Sequence, residues 1–118
     1  MVNRTRTKPV EFVGTALEDM RSMPEAARQD AGYQLHLVQQ GETPPGAKPL
    51  HTVGAGAMEL RVWCADGTWR VIYVAKFASA VYVLHVFQKK TQATPKAEIN
   101  KATDRYRQIA AIAASQRE

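Results

Sequence analysis

Residues 58–64, MELRVWC, and 68–75, TWRVIYVA, alternate apolar with polar or mixed positions, the period of a strand with one buried face. Asp66-Gly67 between them is a strong two-residue hairpin signal. A turn at those two residues predicts Cys64 opposite Trp69, Trp63 opposite Arg70, Arg61 opposite Ile72 and Leu60 opposite Tyr73. Alternation then sorts the hairpin into two faces. Met58, Leu60, Val62, Cys64, Trp69, Val71 and Tyr73 make an apolar face able to pack on helices. Glu59, Arg61, Trp63, Arg70, Ile72 and Val74 make the other, where two arginines lie beside a tryptophan. Residues 80–88, AVYVLHVFQ, are apolar at both parities, as in a central strand or one covered on both sides. The short KFAS connection makes this strand antiparallel to the one before it.

The flanking segments have helical period. Thr15 with Glu18 and Ser22 with Glu25 have capping-box spacing, which predicts helices over about 15–22 and 24–40. Together they suggest an antiparallel helical hairpin. Ala27, Ala31, Leu35 and Val38 form the apolar stripe of the longer helix, and Gly41 is a natural stop. Residues 9–13 alternate and predict a short first strand. Residues 41–57 are rich in Gly and Pro, have no period, and are expected to form a loop with Gly54 and Gly56 as turn residues. Thr94-Pro95 has the form of an N-cap and first helical residue. Beyond it Ile99, Ala102, Tyr106, Ile109 and Ala113 repeat at helical spacing. The expected order is β-α-α-β-β-β-α, an α+β domain whose antiparallel sheet carries helices mainly on one face.

Composition changes this picture in one respect. The 118 residues suit one domain, 1–118, with a short basic arm over 1–8. No apolar run is long enough for a membrane span. The lone Cys64 leaves no internal disulfide, and no Cys/His cluster has metal-ligand spacing. A cytoplasmic protein without cofactor or metal is the expectation. The net charge of +5 and pI near 9.6 favour an anionic partner, nucleic acid before membrane.

The candidate chemistry is therefore basic. Arg61, Arg70 and Trp63 on one sheet face can pair with phosphate and stack on bases. Lys89 and Lys90 end the last strand, where alternation sends one to each face, and Lys96 extends the positive charge into the C-terminal helix. The competing reading pairs Arg61 with Glu59 or a helix carboxylate and leaves Arg70 solvated. Among the histidines, His36 falls in a helix, and His51 lies in the Gly/Pro loop before the hairpin. His85 alternates with Val83 and Phe87, as a satisfied core histidine would. Cys64, Tyr73, Tyr82 and Tyr106 fall in apolar stripes and read as packing residues.

Three motifs in this order carry a resemblance: Glu59-Leu60-Arg61, then Trp69 through Tyr73, then His85, Phe87, Lys89, Lys90, Thr91, Thr94, Pro95 and Glu98. From about Val10 to Arg107 the chain resembles the phage-derived HigB-like branch of the RelE/ParE toxin superfamily. The resemblance implies a RelE-like fold and a type II toxin-antitoxin toxin, a ribosome-dependent mRNA endoribonuclease (mRNA interferase). It implies metal-independent attack of a ribose 2′-OH on the scissile phosphate. It also implies a cognate antitoxin, usually a helix-turn-helix protein, in a hetero-oligomer. By the same resemblance Arg70 stands where a phosphate-stabilising arginine is supplied, and Arg61, Lys89 and Lys90 are further basic candidates. Lys89 or Lys90 is then the candidate general base, and His51 or His85 the proton donor. The superfamily also contains ParE-like gyrase inhibitors, so a non-nuclease toxin or an inactive antitoxin-binding remnant is the alternative.

Overall fold

The computed structural model describes residues 7–65, 67–90 and 93–116. Residues 1–6 of the expected basic arm, Asp66 of the expected turn and Thr91 lie outside them. The elements are β1 (Val10–Phe12), α1 (Ala16–Arg21), α2 (Glu25–Gln39), β2 (Lys48–Pro49), β3 (Ala57–Cys64), β4 (Gly67–Val74), β5 (Val81–Lys89) and α3 (Lys96–Gln116). The sheet order is β1-β5-β4-β3-β2, with β1 parallel to β5 and the other pairs antiparallel. The architecture is α+β, as expected. No described helix is long and apolar enough to cross a membrane.

Burying apolar stripes on both sides of this sheet generates two core layers. Ala27, Ala31, Leu35 and Val38 of α2, with Ala16 and Met20 of α1, pack against Leu60, Val62, Val71, Tyr73 and Val83. Burial pushes the Tyr73 hydroxyl up to about 12, so it stays neutral in this layer. On the opposite face Ala102 and Ile109 of α3 cover Ala57, Ile72, Val74, Leu84 and Phe87. Two of the three helices among the described residues thus share one face. The main contacts of α1 and α2 are with β5 and β3 respectively rather than with each other in a hairpin.

Several local expectations are corrected. The segment 41–57 contains a fifth strand, β2, pairing Lys48 with Glu59 and Pro49 with Met58. Two residues, one a proline, carry no periodic signal, yet proline is tolerated at a sheet edge. The hairpin register is two residues tighter than expected, with Cys64 opposite Gly67 and Arg61 opposite Arg70. A two-residue shift preserves parity, so the two faces keep the composition read from alternation. Neither capping box forms. Thr15 donates its hydroxyl to Asp19 Oδ2 at 3.0 Å, Ser22 donates to the Asp19 carbonyl at 2.7 Å, and Pro24 precedes α2. Gly41 does end α2, at φ +89°, with its N–H donating to the Val38 carbonyl.

A β-bulge shapes the lower half of β5. Ile72 pairs with His85 but Tyr73 pairs with Val83, leaving Leu84 as the extra residue. Leu84 and His85 consequently both face α3, and the expected sharing of a face by Val83 and His85 is broken. Arg105 of α3 locks this region by donating from Nη1 to the Leu84 carbonyl at 2.9 Å and from Nη2 to Thr15 Oγ1 at 3.1 Å. Gly14 makes room for it. Its φ is +58°, and a Cβ there would sit 2.6 Å from Arg105 Nε. Gly14→Ala is expected to cost about 1–2 kcal/mol from the left-handed backbone alone. Urea unfolding checks this, and an unchanged midpoint would contradict the account.

Candidate active site on the open half of the sheet

Along the face opposite α1 and α2, α3 covers only part of the strands. Its apolar contacts reach Ala57, Ile72, Val74, Leu84 and Phe87. Toward the β3–β4 turn the same face carries Glu59, Arg61 and Trp63 on β3, Thr68 and Arg70 on β4, and Lys89 on β5. Cross-strand register brings them together: Arg61 opposite Arg70, Trp63 opposite Thr68, Thr68 opposite Lys89, and Lys48 of β2 opposite Glu59. Strand alternation therefore gathers four cations and one carboxylate on one surface.

Two like charges opposed across a ladder are unfavourable unless something neutralises them. Glu59 does so, accepting from Arg70 Nη1 at 3.0 Å. Both residues are buried, Arg70 at 6% and Glu59 at 3% exposure. The competing pairing is thus reversed: Arg70 takes the carboxylate, and Arg61 has no ion pair among the described residues. The pair is also only half made, because Arg70 Nε and Glu59 Oε2 are buried without a hydrogen-bond partner.

Lys89 is half-buried at the end of β5. Burial first, and the Arg70 guanidinium second, hold its ammonium below the ordinary lysine range; Lys48 and Arg61 push the same way and Glu59 opposes. Lys90 lies beyond the strand and is exposed. The structure therefore separates the lysine pair, with Lys89 on the arginine face. Trp63 is 67% exposed, a large aromatic surface on the same strand as Arg61. Lys96 is exposed at the first position of α3, and His51 is exposed in the turn three residues beyond Lys48.

His85 sits elsewhere on this face, 3% exposed beneath α3. Its Nε2 is 2.5 Å from Glu98 Oε1 and its Nδ1 is 3.3 Å from Arg105 Nη1, while its ring stacks on Phe87. Arg105 can only donate, so Nδ1 accepts and Nε2–H donates to the carboxylate: the imidazole is neutral. Burial lowers its pKa from 6.5, the Arg105 and Lys101 charges add to this, and the Glu98 hydrogen bond and charge oppose it. A group neutral in the fold but protonated in the unfolded chain gives stability that is complete above about 6.5 and falls as pH drops below it. The urea midpoint is expected to decrease from pH 7.5 to 5.5. His85→Gln, which keeps a donor for Glu98, should flatten that slope; an equally steep slope would contradict the assignment.

Glu59 and Lys48 are the members of this cluster that the sequence reading did not name as site residues. Alternation already set Glu59 two positions from Arg61. The role of Lys48 was hidden by the loop-like composition around β2.

A family model for phage-derived Gp49-like proteins of the DUF891 type matches residues 18–107. The chain belongs to this Gp49-like family. No curated protein matches it. Among solved structures, this family member is similar to a mutant of the Escherichia coli toxin RelE in the free state. That alignment has 16% identity and a TM-score of 0.63, covering 84% of this chain and 97% of the other. It is also similar to a chain of the Mycobacterium tuberculosis RelBE2 toxin-antitoxin complex, at 21% identity and a TM-score of 0.51 over 75% and 98% of the two chains. At these identities what the Gp49-like chain shares with them is the RelE fold.

Proposed function

We propose that this Gp49-like protein is the toxin of a type II toxin-antitoxin system, of the HigB-like kind, and that it cleaves mRNA on the ribosome. The observation that carries the reading is the convergence of Arg61, Arg70, Lys89 and exposed Trp63 on the part of the sheet that α3 leaves open. Arginines bind phosphate through a planar fork, and an indole face stacks on an unpaired base.

In this mechanism the ribose 2′-oxygen attacks the adjacent phosphorus and its proton passes to a general base. The P–O5′ bond breaks, and the 5′-oxygen leaves with a proton from a general acid. The products are a 2′,3′-cyclic phosphate and a 5′-OH. Lys89 is the base: a lysine held below its ordinary range offers more free amine near neutral pH. Arg70 and Arg61 stabilise the charge that develops on the phosphoryl oxygens. His85 is committed to holding α3 in place, and His51 follows β2 at the Ala57 end of β3, away from Lys89, so this mechanism assigns the proton donor to neither. Lys90 and Lys96 extend the positive surface along the RNA.

The partner proposed is a cognate antitoxin, of helix-turn-helix type, that covers the toxin in a hetero-oligomer. The similarity to a chain solved within a toxin-antitoxin complex supports it. A second reading, a ParE-like gyrase inhibitor or an antitoxin-binding remnant without nuclease activity, is favoured by one observation: Arg70 is buried against Glu59. Inducible expression with primer extension separates the two. The first reading expects growth arrest with new 5′ ends inside open reading frames. Arrest with gyrase-linked DNA breaks and no new ends would establish the second.

A further inference from the structure

The Arg70–Glu59 pair has the wrong form for a purely structural ion pair. Burying two charges is repaid only when geometry is good and the remaining hydrogen-bonding capacity is satisfied. A guanidinium and a carboxylate can meet through two parallel hydrogen bonds. Here only Nη1 and Oε1 meet, at 3.0 Å, while Arg70 Nε and Glu59 Oε2 are each buried without a partner. Arg70 therefore keeps unused donor capacity beside a carboxylate that only partly occupies it. Around this pair stand Arg61, directly across the ladder from Arg70, Lys48, directly across from Glu59, and Lys89 at the end of β5. Three cations surround one carboxylate that already holds a fourth, so the local field favours a further anion.

We infer that Glu59 holds, in the free protein, the place on Arg70 that a phosphate of single-stranded RNA takes on binding, so that substrate loads by exchange of carboxylate for phosphate. This rests on the proposed reading of the face as RNA-binding and identifies what controls access to it. A phosphodiester offers two unesterified oxygens and can bridge Arg70 Nε and Nη where Glu59 engages Nη1 alone. Arg61 and Lys89 then flank the incoming phosphate rather than facing a neutralised arginine. The released Glu59 carboxylate lies opposite Lys48 and retains a cationic neighbour. Glu59 is thus a positioning residue: it keeps the buried guanidinium oriented and neutralised until substrate arrives. Its presence should weaken binding while protecting the fold.

The test is binding of a fluorescent 2′-O-methyl oligoribonucleotide, which lacks the attacking hydroxyl and cannot be cleaved. Glu59→Gln keeps the size of the side chain and an acceptor for Nη1 but removes the competing charge. It is expected to bind about tenfold tighter at low salt, in the range set by one hydrogen bond to a charged group. The slope of log affinity against log salt should stay the same, because the exchange model has both proteins contact the same number of phosphates. A folded Glu59→Gln protein with unchanged or weaker affinity would overturn the inference. A wild-type titration reports without any variant. The Arg70 Nε–H and Glu59 carboxyl resonances should both shift with the half-saturation of oligonucleotide binding, and binding that leaves them unmoved overturns it equally. The nuclease reading is scored separately, on translated mRNA. A wild type that passes the exchange test but cuts nothing would sink that reading alone.

Discussion

Arg70→Ala is expected to lower stability by about 3–5 kcal/mol, because it strands the buried Glu59 carboxylate without its counter-charge. The resemblance to RelE-like toxins implied that this residue acts on phosphate. The structure adds that it is also a buried structural cation, 6% exposed and paired at 3.0 Å. Loss of toxicity in the alanine variant would then mix two causes, failed chemistry and failed folding. Arg70→Met combined with Glu59→Leu separates them. Replacing a buried ion pair by apolar residues of similar volume is often neutral or stabilising. The double variant is expected to unfold near the wild-type urea midpoint yet show no cleavage. A double variant that is stable and still active would remove Arg70 from the mechanism.

Lys89→Ala is expected to reduce cleavage by about 10²–10³, the scale of one transition-state donor or base. Lys90→Ala should change it several-fold at most. The contrast rests on position alone. Lys89 closes the ladder opposite Thr68 on the face of Arg61 and Arg70, and Lys90 lies past the strand in solvent. Both substitutions remove one surface charge, so a nonspecific loss of RNA affinity would affect them alike. Single-turnover cleavage of ribosome-bound mRNA at matched protein saturation measures the difference. Equal losses in the two variants would show that the pair serves only as counter-charge.

Much of the fold was legible because parity is a robust signal. The stripe of Ala27, Ala31, Leu35 and Val38, the alternation of β3 and β4, and the two-sided burial of β5 all follow from periodicity. Even the misplaced turn did no harm to the faces, since the shift of two residues returned each side chain to its own side. What periodicity could not supply was whatever interrupts it. The bulge at Leu84 moved His85 away from Val83, and two-residue β2 brought Lys48 to Glu59 from within a Gly/Pro-rich segment. The candidate site was legible in part for the same reason. Alternation brought Arg61, Trp63 and Arg70 to one face and parted Lys89 from Lys90, but the β4–β5 register was needed to show that Lys89 is the one that joins them. Which arginine takes Glu59 depended on side-chain burial, which no spacing rule encodes.

The helical caps teach a related lesson. Thr15 and Ser22 have the right spacing to their glutamates, but each hydroxyl bonds within α1 instead, to the Asp19 side chain or carbonyl. Thr15 is moreover recruited by Arg105 from a helix ninety residues away. Asp19 outcompeted both glutamates, and for Thr15 a tertiary partner was added. The same guanidinium reaches the Leu84 carbonyl and the His85 ring, so one arginine ties α3, β5 and the start of α1 together.

The central claim is the proposal that the open half of the sheet cuts mRNA on the ribosome, and one measurement addresses it directly. Purified protein is added to a reconstituted translation reaction, and the ends of the mRNA fragments are mapped and chemically typed. The account predicts new fragments bearing 2′,3′-cyclic phosphate and 5′-OH ends, formed with wild type and lost with Lys89→Ala. Intact mRNA with the wild-type protein, while translation proceeds or stops for another reason, would contradict it.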